Sequence, residues 1–135
     1  MIRRTRRKKK RLTPEELLVK RVANFIKTNY PKQPFRFDQI DQIGLVAGKK
    51  NKEIHGAKFS KGYPDLFIAH CKRNKKGKMK FGGLYVELKA TKTVHNTEHT
   101  RTQSAYHAVL RYQGYKVYFA CGFDESVAII KDYLQ

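Results

Sequence analysis

Acidic residues are scarce in this chain: 11 Asp and Glu stand against 30 Lys and Arg, a net charge of +19 over 135 residues. A field of that sign narrows the partner to a polyanion, with nucleic acid and anionic membrane as the candidates. Phosphate contacts would then supply much of the affinity, and it should fall steeply with salt. Cysteine is nearly absent. Cys71 and Cys121 offer neither a disulfide framework nor a metal set, so they read as reduced thiols in a cytoplasmic protein. No run approaches the roughly 20 apolar residues of a membrane-crossing helix. The basic N-terminus is not followed by the apolar run of a signal peptide. There is no Walker-type glycine loop, no internal repeat and no sign of a second domain.

What is present suits one globular domain. The apolar fraction is an ordinary 40%, and the length is enough to bury most of a core without staples. Residues 1–12 read as a disordered basic tail carrying Arg3, Arg4, Arg6, Arg7, Lys8, Lys9, Lys10 and Arg11. Such a block repels itself when alone and is expected to lie on nucleic acid. Removing these eight cations from the net +19 leaves +11, so the folded part, residues 13–135, is strongly basic too.

Thr13-Pro14-Glu15-Glu16 predicts a helix start, with Thr13 as cap, Pro14 in the first turn and Glu16 at the capping-box spacing. The helix should end near Asn29, before Pro31, with Leu18, Val19, Val22, Phe25 and Ile26 on one face. Glu15 continues that stripe and is expected to point inward, while Glu16 lies at its edge. Pro34 to Asp38 predicts a short extended piece, and Gln39 to Phe59 a short helix plus loop. Leu66 to His70 reads as a strand, Arg73 to Lys78 as a turn, and Gly82 to Lys89 as the returning strand of a hairpin. Thr91 to Arg101 reads as a polar loop. A helix follows from Thr102 or Gln103 to about Gln113, stopped by Gly114. Tyr115 to Cys121 is a strand, and Asp124 is expected to cap a last helix bearing Val127, Ile130 and Leu134. Helices interleaved with strands imply an α/β sandwich around a mixed sheet.

The chemistry concentrates in Gly62-Tyr63-Pro64-Asp65 and Gly82-Gly83-Leu84-Tyr85-Val86-Glu87-Leu88-Lys89. On the returning strand Leu84, Val86 and Leu88 face one way, and Tyr85, Glu87 and Lys89 the other. Asp65 at the start of the neighbouring strand is placed to meet Glu87 at one divalent ion. Mg2+ takes oxygen donors, usually one or two carboxylates with waters and phosphate oxygens. Lys89, on the Glu87 face, is placed to act on water or on developing phosphate charge. These are the parts of a metal-dependent phosphodiesterase.

The P-D…E-x-K pattern resembles that of the PD-(D/E)XK nuclease superfamily, and its details are similar to the VRR-NUC (virus-type replication–repair nuclease) branch, in particular small stand-alone phage and bacterial members. The resemblance spans residues 14–134. It rests on Gly62 to Ala69, Gly83 to Ala90, Gln103 with its helix, Gly114-Tyr115-Lys116-Val117, Phe35 to Asp38 and Gly122 to Glu125. It implies a restriction-endonuclease-like αβββαβ core with a mixed central sheet flanked by helices. It also implies a DNA endonuclease using Mg2+ or Mn2+, structure-selective for branched or junction DNA in replication, recombination or repair, and a possible homodimer. By the resemblance Asp65, Glu87 and the backbone carbonyl of Leu88 are metal ligands, Lys89 is the catalytic lysine and Gln103 supports the site. The first-helix glutamate of the family best matches Glu15, with Glu16 as the other candidate. Lys58, Lys61, Lys92 and Arg101, flanking the motifs, are expected to meet phosphate along with the tail.

Other patterns carry less. His95-Asn96-Thr97-Glu98-His99 spells an inverted zinc-protease motif, but that chemistry needs a helix, and the segment reads as loop. His95, His99 and Arg101 instead suit a loop beside substrate or in solvent. His107, one turn after Gln103, reads as a surface or partly buried histidine. Tyr63, Tyr85 and Tyr106 are stacking candidates or simply core and rim. Composition alone favours a non-catalytic, basic nucleic-acid-binding protein of the ribosomal or nucleoid kind. The carboxylates aligned with Lys89 are what argue against it.

Overall fold

The computed structural model describes residues 11–38, 62–91 and 98–135. The chain forms α1 (Pro14–Asn29), β1 (Phe35–Phe37), β2 (Leu66–Ile68), β3 (Lys72–Arg73), β4 (Met79–Phe81), β5 (Leu84–Lys89), α2 (Glu98–Tyr112), β6 (Lys116–Cys121) and α3 (Gly122–Leu134). A four-stranded sheet runs β1-β2-β5-β6, and β3 and β4 pair separately as a ribbon. β2 pairs antiparallel with both of its neighbours, β1 and β5, whereas β6 lies parallel to β5. A parallel neighbour needs a crossover, and α2 supplies it.

α1 begins and ends where its punctuation places it. The Glu16 amide donates to Thr13 Oγ1 at 3.2 Å, and the Tyr30 amide closes the far end on the Ile26 carbonyl. Leu18, Val19, Val22 and Ile26 are buried together with Leu84, Val86 and Leu88 of β5 and with Ile130 and Tyr133 of α3. The opposite sheet face packs Tyr85 and Val117 against Leu110 of α2, with Tyr63, Phe67, Tyr106 and Tyr115 around them. The architecture is therefore helix, mixed sheet, helix, with both faces of β5 buried as its alternation of Leu84, Val86 and Leu88 against Tyr85, Glu87 and Lys89 requires.

Several expectations are corrected. The first strand of the hairpin is only Leu66–Ile68, and the turn over 73–78 is part of the β3–β4 ribbon. α2 starts at Glu98, so residues 98–101 are helical rather than loop. Packing of Gln103, His107 and Leu110 on the sheet, with an acidic residue favourable in the first turn, outweighs the poor helix propensity of threonine there. Thr102 Oγ1 donates back to the Glu98 carbonyl at 3.0 Å. Asp124 lies inside the first turn of α3, and the cap position is Cys121, with no side-chain hydrogen bond. The expected helix and loop over 39–59 lie outside the described residues, as do tail residues 1–10. No helix among the described residues is long and apolar enough to cross a membrane.

Candidate active site

The site forms where β2 and β5 separate. Their ladder ends at Leu66 opposite Val86. One step further, the backbone amides are taken by side chains. The Asp65 amide donates to Glu87 Oε2 at 3.1 Å, and the Leu88 amide donates to Asp65 Oδ2 at 2.9 Å. Each carboxylate thus satisfies a backbone donor on the other strand. Both are nearly sealed, Asp65 at 4% exposure and Glu87 at 3%.

The remaining oxygens differ in a way that matters. Glu87 Oε1 accepts from Gln103 Nε2 at 2.6 Å and lies 3.7 Å from Lys89 Nζ. Lys89 Nζ also donates to Gln103 Oε1 at 3.1 Å. Gln103, buried on α2, therefore bridges acid and lysine with its two ends. Asp65 Oδ1 is buried and has no hydrogen-bond partner. A buried carboxylate oxygen left unpaired costs free energy unless something charged meets it.

Electrostatics agree with the geometry. Burial first, then the like charge of Asp65, pushes Glu87 well above the ordinary carboxylate range. Burial also raises Asp65, opposed chiefly by the Leu88 amide. Two buried carboxylates this close titrate as a pair and readily retain a proton. A divalent cation would reverse that preference. Hard oxygen donors with one oxygen unpaired fit Mg2+ or Mn2+, which complete their shells with water and phosphate. Among the described residues no group of three His, Cys, Asp or Glu side chains converges on a metal-binding point.

Backbone constraints place the motif. Pro64 is buried ahead of Asp65. Gly62 has φ +89°, and a Cβ there would come 3.0 Å from the Thr102 carbonyl. Only glycine lets the motif's first residue pass so near the helix that carries Gln103. At the other end of β5, a Cβ on Gly83 would sit 2.5 Å from the Phe67 ring, so that strand crossing is glycine-dependent too.

The structure brings together Asp65, Glu87, Leu88, Lys89 and Gln103. Glu15 is exposed rather than turned inward, and Glu16 is half-buried. The stripe on α1 first becomes buried at Leu18. The charge of Glu15 nonetheless adds, as the smallest influence, to the raising of Asp65. Arg11 and Arg101 are exposed. Arg3, Arg4, Arg6, Arg7, Lys8, Lys9, Lys10, Lys58, Lys61 and Lys92 lie outside the described residues, as does His95.

One feature escaped the sequence. His107 is fully buried, contrary to the expected surface or partial burial, with neither ring nitrogen hydrogen-bonded. Its ring lies 4.5 Å from that of Phe119. Burial, reinforced by the charges of Arg111 and Lys89, pushes it down to about 4, so it is neutral at physiological pH. The i, i+4 relation to Gln103 was the available signal. Tyr63, Tyr85 and Tyr106 lie at core and rim: Tyr63 Oη donates to Tyr85 Oη at 2.5 Å, and Tyr106 packs edge-on to Tyr63 at 5.7 Å. This aromatic wall flanks the carboxylates on the α2 side.

No family model matches the chain, and no curated protein matches it. Among solved structures the fold is similar to one described as a VRR_NUC domain protein, with a TM-score of 0.64 and 19% identity over 93% of this chain and 91% of that one. At that identity the likeness establishes the shared fold: a mixed α/β domain whose sheet lies between helices. The roles of the side chains rest on the geometry above.

Proposed function

We propose that this protein is a metal-dependent deoxyribonuclease of the PD-(D/E)XK type, with a VRR-NUC-like αβββαβ core. The observation that carries the reading is the unpaired, buried Asp65 Oδ1 beside Glu87, with Lys89 braced by Gln103. Asp65, Glu87 and the Leu88 carbonyl would hold Mg2+ or Mn2+. When bound, such an ion supplies charge relief at the phosphate and an acidified water. Hydrolysis adds one water: its oxygen forms a bond to phosphorus, the bond to the leaving 3′ or 5′ oxygen breaks, and that oxygen gains a proton. Lys89 stabilises the negative charge that develops on phosphate. Gln103 fixes the lysine and Glu87 Oε1, and the charge of Glu15 tunes the local field.

The substrate we propose is DNA, branched or junction-like, met by the basic tail and by Lys58, Lys61, Lys92 and Arg101, in the cytoplasm of a bacterial or phage-infected cell. Symmetric cutting of a junction would need two copies of the site, hence a homodimer. The test is purified protein against branched, duplex and single-stranded DNA with Mg2+, Mn2+ or chelator. Cleavage is expected with metal only, and its loss in Asp65→Ala and Lys89→Ala with binding retained. Cleavage by both variants at the unaltered rate would refute the site.

One observation favours a second reading, a non-catalytic nucleic-acid binder. The carboxylates already satisfy the Asp65 and Leu88 amides, which is a structural task. On that reading no substrate is cut, no metal binds, and Asp65→Ala only destabilises the fold.

A further inference from the structure

The β3–β4 ribbon stands outside every role assigned so far. Between Lys72 and Lys80 the chain places Lys72, Arg73, Lys75, Lys76, Lys78 and Lys80, and no acidic residue occurs from Leu66 to Val86. Residues 73–80 are all exposed. Lys75, Lys76, Lys78 and Lys80 form no salt bridge with any described residue.

Despite this mutual repulsion, the ribbon is held in shape. Asn74 Oδ1 accepts from the Lys76 and Lys78 amides at 2.9 and 3.0 Å. The Gly77 amide donates to the Asn74 carbonyl at 3.0 Å, and Arg73 Nη1 donates to the Gly77 carbonyl at 3.1 Å. Its base is fixed as well. Lys72 Nζ lies 5.4 Å from the Tyr133 ring centroid and donates to the Asp132 carbonyl at 3.3 Å. Phe81 packs on the core. A flexible basic turn would spread its charges apart. This one is ordered with four lysines uncompensated, as suits a surface whose counter-charges come from a partner.

Position supplies the second constraint. The ribbon continues from the end of β5 remote from the carboxylates. Lys80 and Lys78 are seven and nine residues from Glu87 along the chain. At about 3.3 Å per residue, Lys78 lies at most ~30 Å from the acid pair. With one phosphate per 3.4 Å of each strand, that is within about nine phosphates.

We infer that the β3–β4 ribbon is a second nucleic-acid contact, with Lys75, Lys76, Lys78 and Lys80 gripping duplex DNA phosphates, Lys78 and Lys80 within about nine positions of the carboxylate site and Lys75 and Lys76 within about twelve. It rests on the DNA partner of the proposed function but not on its metal chemistry, so it is tested by binding in chelator. Four Lys→Ala changes at 75, 76, 78 and 80 in the full chain should lower affinity for a duplex of ~20 base pairs by about 100-fold at low salt. They should flatten the slope of log affinity against log salt by about 3 to 4. The four Lys→Arg changes should keep both. Unchanged affinity and slope in the alanine variant overturns the inference. So does an arginine variant as weak as the alanine one, which would make the loss structural. So does a loss confined to RNA or to anionic vesicles while duplex binding persists. A chain that binds through the ribbon yet cleaves nothing refutes the nuclease reading alone. Cleavage with duplex binding indifferent to the ribbon refutes this inference alone.

Discussion

The two faces of β5 were built for different tasks. On one, Leu84, Val86 and Leu88 meet α1 and α3 in an aliphatic interior. On the other, Tyr85, Glu87 and Lys89 meet α2 across Gln103, His107 and a set of tyrosines. The first face stabilises by removing apolar area from water. The second buries two carboxylates and an unpaired imidazole, which costs stability. A strand buried on both sides can hold such a site because its aliphatic face supplies stability independently. That separation makes the two faces distinguishable by experiment.

The largest effect should fall on the polar face. Asp65→Ala is expected to lower metal-dependent cleavage by about 1,000-fold or more, several kcal/mol of transition-state stabilisation, measured in single-turnover assays with Mn2+. Calorimetric titration of Mg2+ or Mn2+ should show binding lost in parallel. On the aliphatic face, Leu66→Ala removes a fully buried side chain and should cost about 2–5 kcal/mol in urea unfolding. Cleavage per folded molecule should persist. If Leu66→Ala instead abolishes activity in the folded fraction, the faces are not independent.

Gln103→Ala should reduce cleavage by about 10–100-fold, the scale of a lost positioning partner, without abolishing metal binding. The lysine and Glu87 Oε1 each lose one hydrogen bond. A loss as deep as that of Asp65→Ala would mean that Gln103 does more than position.

The smallest effects are in pH dependence, read as shifts of a few degrees in Tm. His107 is depressed to about 4 from its ordinary 6.5. Below 6.5 the unfolded chain therefore binds the proton more readily, so the contribution of His107 to stability should fall as pH drops from about 6.5 towards 4. His107→Phe should flatten that limb. The acid pair is raised by burial, so the folded state holds more protons than the unfolded one above the ordinary carboxylate range. In chelator, the contribution of the pair should fall as pH rises from there through neutrality, opposing that of His107 where the two overlap, and Asp65→Asn should blunt the fall. An aliphatic-face variant such as Leu66→Ala should shift the whole profile without changing either limb.

Local rules carried far along the chain. Thr13, Pro14 and Pro31 bracket α1 because capping and proline act over three or four residues. The alternation along Leu84–Lys89 assigns faces because a strand has period two whatever it packs on. The nomination of Asp65, Glu87, Lys89 and Gln103 needed a motif as well as periodicity, and the four do come together. Glu15 shows the limit: helical spacing fixed its angle on α1, but only the extent of the sheet beneath decides whether that angle is buried. The start of α2 escaped for a related reason, since residues 98–101 gain their helix from tertiary packing over weak local preference.

By itself, then, the amino-acid order determined most of the elements, the two faces of β5 and the excess of positive charge, which arise from composition and from neighbours along the chain, and with a motif it nominated Asp65 and Glu87 as the acidic pair. Only the tertiary structure decided that β2 and β5 part at Asp65, so that each carboxylate takes the other strand's amide and Asp65 Oδ1 is left without a partner. It also decided that His107 is sealed and that the basic turn is an ordered ribbon. Those outcomes depend on which surfaces exclude water, and burial is a property of the assembled molecule.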